Sequence, residues 1–261
     1  MLKQRIITAV IALLALFLVL FVLPGAIAEL FIALVIIAGA WEWSVFLESG
    51  STTVRVVYVS FIAACMAGIG MVWSQGVEWV LLLALGWWML ALIWTFVFPT
   101  RIPVLLRWLG GALVLVPLYA ALVLLYNENA MLLLLALMIV WSADIGAFFV
   151  GKRFGRVKLA PSISPGKTWE GVIGGLLLVV LVIIVRSIWV PGDLAVLVPF
   201  CLAVAAISIV GDLTVSMFKR TAGVKDSGSL FPGHGGVLDR IDSVAAAAPL
   251  FALGLTYLGL T

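Results

Sequence analysis

Long apolar runs constrain this chain more than any other feature of its sequence. Hydrophobic residues make up 65% of it and charged residues only 10%, whereas a soluble domain has about a quarter of its residues charged. Several runs exceed the roughly 18 to 20 residues that span a bilayer as a helix, and none shows the alternation of a membrane β-barrel strand. We therefore expect an all-α polytopic membrane protein and exclude an ordinary soluble domain.

About nine transmembrane helices account for the apolar runs. We predict them over 5–23, 26–47, 54–73, 78–98, 108–126, 129–151, 168–190, 193–217 and 242–260. The first run resembles a secretory signal but is longer than a signal core of about 7 to 15 residues, so we expect a retained helix. Residues 1–130 are predicted to form a hydrophobic scaffold and residues 131–261 the catalytic helices and loops, within one integrated membrane domain.

The distribution of Lys and Arg predicts the orientation in the membrane. With the N-terminus inside, every Lys and Arg except Arg186 falls in a cytoplasmic segment or near the inner end of a helix, as the positive-inside rule requires. This predicts an odd number of spans, a cytoplasmic N-terminus and an outside C-terminus. We expect an integral protein of the bacterial inner membrane, and the positive net charge is no sign of nucleic-acid binding.

Residues 216–243 are the polar exception to this composition. The segment reads SMFKRTAGVKDSGSLFPGHGGVLDRIDS and includes the only histidine. Such a density of charge in an apolar chain indicates a functional site, which we place in a polar pocket facing the cytoplasm. The candidate catalytic residues are Lys219, Arg220, Lys225, Asp226, His234, Arg240 and Asp242. His234 either acts on a phosphate oxygen or only hydrogen-bonds the loop, and the sequence favours neither.

Asp144 and Asp212 lie within the sixth and eighth predicted spans, and Asp239 and Asp242 lie near the start of the last one. An ionised side chain in a bilayer is costly and is a functional hypothesis by default, so Asp144 and Asp212 each need a partner from elsewhere in the chain. Ser208, Asp212, Ser216 and Lys219 share one helical face that leads into the charged segment. Asp239 and Asp242 likewise share a face, although acids near a helix N-terminus can be no more than a complement to its dipole.

Carboxylates, basic side chains and glycines together favour phosphate chemistry. Mg²⁺ is usually held by one or two carboxylates plus substrate phosphates, and Lys and Arg neutralise the phosphates. The glycines of the segment, including Gly235 and Gly236, let backbone amides approach an anion closely. One histidine, with Cys65 and Cys201 inside apolar spans, argues against a zinc site and a disulfide. The segment therefore predicts a metal-assisted phosphate site.

A second polar loop, residues 151–171, contains Gly166-Lys167-Thr168 but is not a P-loop. The first glycine of that motif is replaced by Pro161, and no strand is predicted before it. Ser162, Ser164, Lys167 and Thr168 do precede an apolar helix, where hydroxyls, an ammonium and free amides can bind an anion. The alternative is a basic loop that touches anionic lipid headgroups.

Taken together, these residues resemble the signature of the phosphatidate cytidylyltransferase family, also called CDP-diglyceride synthase. The matching positions are Ser216, Lys219, Arg220, Lys225, Asp226, Gly228, Phe231, Pro232, His234, Gly235, Gly236, Asp239, Arg240 and Asp242. The segments WSADIGAFFVGKRFG and SISPGKTWEG also look like that family. The resemblance covers residues 140–245, while the first 130 residues resemble it only as hydrophobic helices.

The resemblance implies that CTP and phosphatidic acid react to CDP-diacylglycerol and pyrophosphate, with Mg²⁺ as cofactor and room for a second cation. We expect Asp212 and Asp239 to be the principal metal ligands, with Asp144 assisting. The predicted substrate-binding residues are Ser162, Ser164, Lys167, Thr168, Ser216, Gly235 and Gly236. Membrane lipids surround the chain, and a homodimer is left open.

Two other classes of protein have some of these features. An ion-coupled transporter of an anionic substrate also places acids and polar stripes within its helices, but its site lies near the midplane rather than on one side. A CDP-alcohol phosphotransferase acts on similar lipids, yet the sequence pattern of that family is absent. A purely structural scaffold would leave the charged segment unexplained.

Overall fold

The computed structural model describes residues 2–47, 51–71, 73–190, 192–228, 230 and 235–258. These residues form nine α-helices, each overlapping one predicted span: α1 Leu2–Phe21, α2 Gly25–Trp43, α3 Thr52–Met71, α4 Trp73–Val97, α5 Val104–Glu128, α6 Ala130–Phe154, α7 Trp169–Ser187, α8 Leu194–Thr221 and α9 Leu238–Leu258. A 3₁₀ helix, Ser44–Leu47, follows α2. The all-α prediction is confirmed for the fold class.

Eight of these helices, α2 to α9, are long and apolar enough to cross a membrane, so the chain is an integral membrane protein. Helix α1 includes the apolar segment Val10–Phe21. The predicted first span is therefore present as a helix, and its crossing of the bilayer stays a prediction. Helix α9 begins four residues before its predicted start, at Leu238, which places Asp239 within its first turn.

Helices α6 and α7 form the most extensive helix–helix contact in the described chain. A Cβ atom added to Gly146 would lie 2.6 Å from the carbonyl oxygen of Gly174, and one added to Gly175 would lie 2.5 Å from that of Ala143. Small residues on facing sides of two helices let their backbones approach closely inside a membrane. There, packing replaces the hydrophobic effect as the driving force for helix association. The glycines therefore bring the C-terminal half of α6 and the N-terminal half of α7 together.

Helix α9 lies at the centre of the bundle. It contacts α2, α4, α5, α6 and α8. Of the residues in its most apolar stretch, 67% are buried, the largest share in any described span. Four consecutive alanines, Ala245 to Ala248, are fully buried and leave room for neighbouring helices. A Cβ atom at Gly211 of α8 would lie 2.5 Å from the carbonyl oxygen of Asp242, so α8 and α9 are in backbone contact near the charged segment.

An aromatic cluster joins α2, α4 and α8 at the same end of the bundle. The ring of Phe218 lies 4.9 Å from that of Trp43 and 6.1 Å from that of Trp94, measured between centroids. Phe218 and Trp43 are both buried. Tilted and edge-on aromatic pairs of this kind add to the burial energy of the rings. The cluster fixes the end of α2 beside the end of α8.

A β-hairpin between α6 and α7 was not predicted from the sequence. Strand β1, Lys158–Ala160, pairs antiparallel with β2, Ser164–Thr168. The turn between them places the fully buried Ile163 against the bundle, so the hairpin is anchored rather than free in solvent. The segment predicted as a basic loop is thus an ordered structure that carries Ser164, Lys167 and Thr168 on one strand.

The α6–α7 contact predicts a strong stability effect of a β-branched residue at Gly175. We expect Gly175→Val to lower the free energy of unfolding by about 1–3 kcal/mol or more, because its side chain meets backbone that cannot move aside. Thermal unfolding of the purified protein in detergent measures this. The matched control is Gly86→Val in α4, where an added Cβ has no neighbour within 4 Å. Equal melting temperatures of the two variants would contradict the proposed role of Gly175.

Candidate active site

A cavity of about 560 Å³ opens between α6, β2, α7 and α8; most of its wall is apolar, and we call it the polar cavity after the charged and hydroxyl side chains that line it. Asp144 faces it from α6, Ser164, Lys167 and Thr168 from β2, and Asp212 from α8. These five residues were all singled out from the sequence, and the structure brings them to one cavity. The hairpin is what makes this possible, because it folds the polar strand against the ends of two membrane helices.

Asp212 receives its partner from the hairpin. Its Oδ2 lies 2.7 Å from Nζ of Lys167, and its Oδ1 accepts a hydrogen bond of 3.1 Å from Oγ of Ser216. Both members of the ion pair keep 26% of their side-chain surface exposed. The prediction that this intramembrane acid needs a partner from outside its own helix agrees with this contact. The pair is open enough for an incoming anion to reach Lys167.

Thr168 serves the fold as well as the cavity. Its Oγ1 accepts a hydrogen bond of 3.2 Å from the amide of Gly171, which makes Thr168 the N-cap of α7. Glu170 in the first turn of α7 accepts from the amide of Val157 at 3.1 Å. Such contacts satisfy backbone donors at the start of a helix. They fix the junction of β2 and α7, and with it the direction in which Lys167 points.

A second group of charges joins α8 to α9. Lys219 is buried, and its Nζ lies 2.9 Å from Oδ1 of Asp239 and 3.8 Å from Oδ2 of Asp242. Oδ2 of Asp239 also accepts hydrogen bonds from the amides of Ser227 at 3.1 Å and Gly236 at 2.9 Å. Lys219 follows Asp212 and Ser216 on the same face of α8. This group of charges therefore extends the polar face of α8 beyond the cavity.

Glu42, at the end of α2, was missed as a site residue. It is buried, and its carboxylate accepts hydrogen bonds from Oγ of Ser227 at 2.9 Å, the amide of Val237 at 3.0 Å and the amide of Leu238 at 2.8 Å. The sequence assigned Glu42 to the scaffold. The available signal was an acid near the C-terminal end of an apolar helix, which needs a partner for the same reason as Asp212.

The other predicted residues are distributed around these groups. Nε of Arg220 donates to the carbonyl oxygen of Ile163 at 3.1 Å and so ties α8 to the hairpin turn. Lys225 and Asp226 are exposed beyond the end of α8. Arg240 lines a separate apolar cavity of about 170 Å³ between α1, α2, α5, α6 and α9.

Ser162 and Gly235, two of the predicted substrate-binding residues, do not line the polar cavity. Ser162 lines a neighbouring cavity instead of the polar one. Gly235 has a positive φ of 80°, which a residue with a side chain adopts only with strain. His234 lies outside the described residues, so its two alternatives stay predictions.

The residues of the cavity fit a divalent metal that is shared with a phosphate. Within the described chain no three His, Cys, Asp or Glu side chains are grouped so that they could hold a metal ion alone. Asp144 and Asp212 do line the same cavity, which matches the one or two carboxylates that usually hold Mg²⁺ together with phosphate oxygens. Both oxygens of Asp239 accept hydrogen bonds from protein donors, so its role as a ligand stays a prediction.

Fold and site together define a polytopic membrane protein with an ion-paired polar cavity at one end of its bundle. The family model described as "Cytidylyltransferase family" matches residues 3–258. The chain is 46% identical to the phosphatidate cytidylyltransferase of Pseudomonas aeruginosa, over 97% of this chain and 96% of that relative. It is 39% identical to that of Haemophilus influenzae, over 97% of this chain and 98% of the relative. The chain belongs to the cytidylyltransferase family.

The contact of Arg220 with the hairpin predicts a local change in dynamics when it is removed. We expect Arg220→Met to speed amide hydrogen exchange in residues 158–168 by about tenfold or more, because a hydrogen bond to a charged group contributes about 1.5–3 kcal/mol. Mass spectrometry of peptides from the detergent-solubilised protein measures this. The control is Lys225→Met, which removes an exposed basic side chain a few residues away. Unchanged exchange in Arg220→Met would show that Arg220 does not hold the hairpin.

Proposed function

We propose that this protein transfers CMP from CTP to phosphatidic acid and releases pyrophosphate, as a nucleotidyltransferase of phospholipid biosynthesis. Its membership of the cytidylyltransferase family and its identity to two phosphatidate cytidylyltransferases over nearly their whole length support this activity. The structural observation that supports it most is the ion pair between Lys167 of the hairpin and Asp212 of α8, which lines the polar cavity.

The chemistry requires positioning and charge neutralisation more than a strong base. An oxygen of the lipid phosphate attacks the α-phosphorus of CTP, a new P–O bond forms, and the bond to the β-phosphate breaks as pyrophosphate leaves. The attacking group is already an anion at neutral pH. Lys167 in the cavity would neutralise phosphate charge that develops in the transition state, and Ser164 beside it would donate a hydrogen bond. That the triphosphate is neutralised by Arg220, Lys225 and Arg240 stays a prediction.

Mg²⁺ is the proposed cofactor. Asp144 and Asp212 would hold it from the wall of the cavity, with Asp239 as the predicted further ligand. The ion would supply charge neutralisation at the phosphates and would orient the reacting groups. Lys219, which pairs with Asp239 and lies near Asp242, would balance the charge of these acids.

A second cavity offers a place for the acyl chains of the lipid. It measures about 340 Å³ and lies between α4, the hairpin, α7 and α8. Its wall is mostly apolar, and it shares Val172 and Ile209 with the polar cavity. A lipid phosphate at Lys167 would therefore have apolar space next to it. Lateral entry of the lipid from the inner leaflet is consistent with this arrangement.

The transporter alternative has less support. Its expected site would lie near the membrane midplane between broken helices or repeats, whereas the polar cavity is formed where β2 meets the C-terminal halves of α6 and α8 and the first turn of α7. The relatives also support the transferase and not a transporter. Flux of an anionic substrate into proteoliposomes without consumption of CTP would reverse this preference.

The bacterial relatives support a place in the inner membrane. We keep as predictions that the polar end, with the N-terminus, faces the cytoplasm, where CTP is available, and that the C-terminus lies outside. A second copy of the chain as partner and a second cation stay predictions as well.

The direct test of the activity is pyrophosphate release by the purified protein with CTP, phosphatidic acid and Mg²⁺. We expect release only when all three are present, together with formation of CDP-diacylglycerol. EDTA in place of Mg²⁺ and ATP in place of CTP are the controls. A folded sample without CTP-dependent release would overturn the proposed function.

Removing the Lys167–Asp212 pair should abolish most of the turnover. We expect Lys167→Met and Asp212→Asn each to lower kcat/KM by about 100-fold or more, since each removes a charge in the transition-state environment. The double variant should lose less than the product of the two single losses, because the residues are in contact. Glu128→Gln, an exposed acid at the far end of α5, is the control.

Asp212→Asn should in addition require more Mg²⁺ for half-maximal rate, and Asp239→Asn should fold but turn over poorly. Near-normal turnover of Asp239→Asn in saturating Mg²⁺ would refute its predicted role as a ligand.

A further inference from the structure

Glu42 is 185 residues away from Ser227 in the sequence and yet accepts a hydrogen bond from its hydroxyl. Its side chain leaves the last turn of α2, and Glu42 is only 7% exposed. Three contacts hold the carboxylate, one from Oγ of Ser227 and two from the amides of Val237 and Leu238. Ser227 precedes the loop of residues 228–236, and Val237 follows it. One carboxylate therefore joins the two ends of this loop.

A carboxylate is well suited to this position. Val237 and Leu238 supply amides at the N-terminus of α9, where backbone donors have no partner within the helix and the helix dipole is positive. An N-cap side chain normally comes from the residue before the helix. Here the cap comes from a different helix, so Glu42 fixes the start of α9 and its distance from α2 together.

The first and last glycines of the loop fit Glu42. A Cβ atom at Gly228 would collide with Oε1 of Glu42, and one at Gly236 would collide with Oε2. From the sequence, the glycines of this segment were interpreted as allowing an anion to approach the backbone. In the structure, the anion beside Gly228 and Gly236 is the protein's own carboxylate. The two ends of the loop are therefore shaped to enclose Glu42.

The contacts continue from Glu42 to the charged residues. Ser227, whose hydroxyl donates to Glu42, donates its amide to Asp239. Gly236, which lies against Glu42, donates its amide to the same Asp239 carboxylate. Asp239 in turn holds the buried Lys219 at 2.9 Å. A shift of the loop ends would therefore move the carboxylate of Asp239 and the ammonium of Lys219 together.

We infer that Glu42 is a positioning residue for nucleotidyl transfer: it holds the two ends of the loop of residues 228–236 so that Asp239 and Lys219 keep the geometry that the reaction needs. The inference rests on the proposed function. It assigns to the hydrophobic N-terminal half of the chain a direct part in arranging the site. Glu42 acts through Ser227, Gly236 and Asp239 rather than on a substrate.

The test compares Glu42→Gln with Glu29→Gln, the same change near the opposite end of α2. In Glu42→Gln the new side-chain amide would turn a donor toward groups that themselves donate, so the loop ends should shift while α2 stays intact. We expect kcat to fall by about 30- to 100-fold, because a misplacement of about 1 Å can cost this much. The KM values for CTP and phosphatidic acid should change less than about threefold. Glu29→Gln should stay within about twofold of the wild type.

Two further variants separate positioning from a loss of folding. Glu42→Asp keeps the charge and should recover at least part of kcat. Gly228→Ala displaces the carboxylate without removing it, and should lower kcat with the same pattern as Glu42→Gln. Their double variant should lose less than the product of the single effects. If Glu42→Gln cannot be obtained folded, Gly228→Ala provides the decisive measurement.

The outcomes distinguish the inference from the function on which it rests. A wild-type protein that releases no pyrophosphate from CTP overturns the proposed function, and with it any kinetic role of Glu42. An active wild type with a folded Glu42→Gln or Gly228→Ala of unchanged kcat overturns the inference alone. A rise in KM with unchanged kcat would also overturn it, because that pattern indicates a substrate contact. A fall in kcat with partial rescue by Glu42→Asp supports it.

Discussion

A carboxylate removed from water must find its donors within the protein, and this constraint organises the polar end of the bundle. Asp212 is paired with Lys167 of the hairpin, and Asp239 with Lys219 and two loop amides. Glu42 takes its donors from Ser227 and the start of α9. None of these acids is satisfied by its own helix alone. Each acid therefore links a membrane helix to another segment of the chain, and these links together hold the site in place.

The close contact of α6 and α7 prepares the position of Lys167. Glycines at the contact allow the two backbones to meet, and Thr168 caps α7 directly where β2 ends. Arg220 holds the hairpin turn from α8 through the carbonyl of Ile163. The hairpin is thus fixed on one side by α7 and on the other by α8. This is why a short, partly exposed strand can deliver a lysine to an acid inside a membrane helix.

Local patterns in the sequence were sufficient for the helices and for part of the site. Apolar runs of the right length predicted all nine described helices, and helical spacing placed Asp212, Ser216 and Lys219 on one face. The hairpin was not predicted because SPGKT lacks the alternation of a strand, and its pairing depends on an irregular register and on burial of Ile163. Glu42 was missed because its partners are distant in the chain, and spacing along one helix carries no information about such contacts. Arg240 shares a helix turn with the acids, but its side chain lines another cavity.

Because the ends of the loop of residues 228–236 enclose Glu42, the signature segment depends on a residue outside itself. Transplanted into another helical bundle, the same residues would lack the acid that joins the loop ends, and Gly228 and Gly236 would only add freedom to the backbone. The size of two glycines in the C-terminal half is matched to one side chain in the N-terminal half. Any side chain at Gly228 or Gly236 would therefore displace the carboxylate of Glu42, a residue of the half of the chain whose composition alone suggests only a membrane anchor.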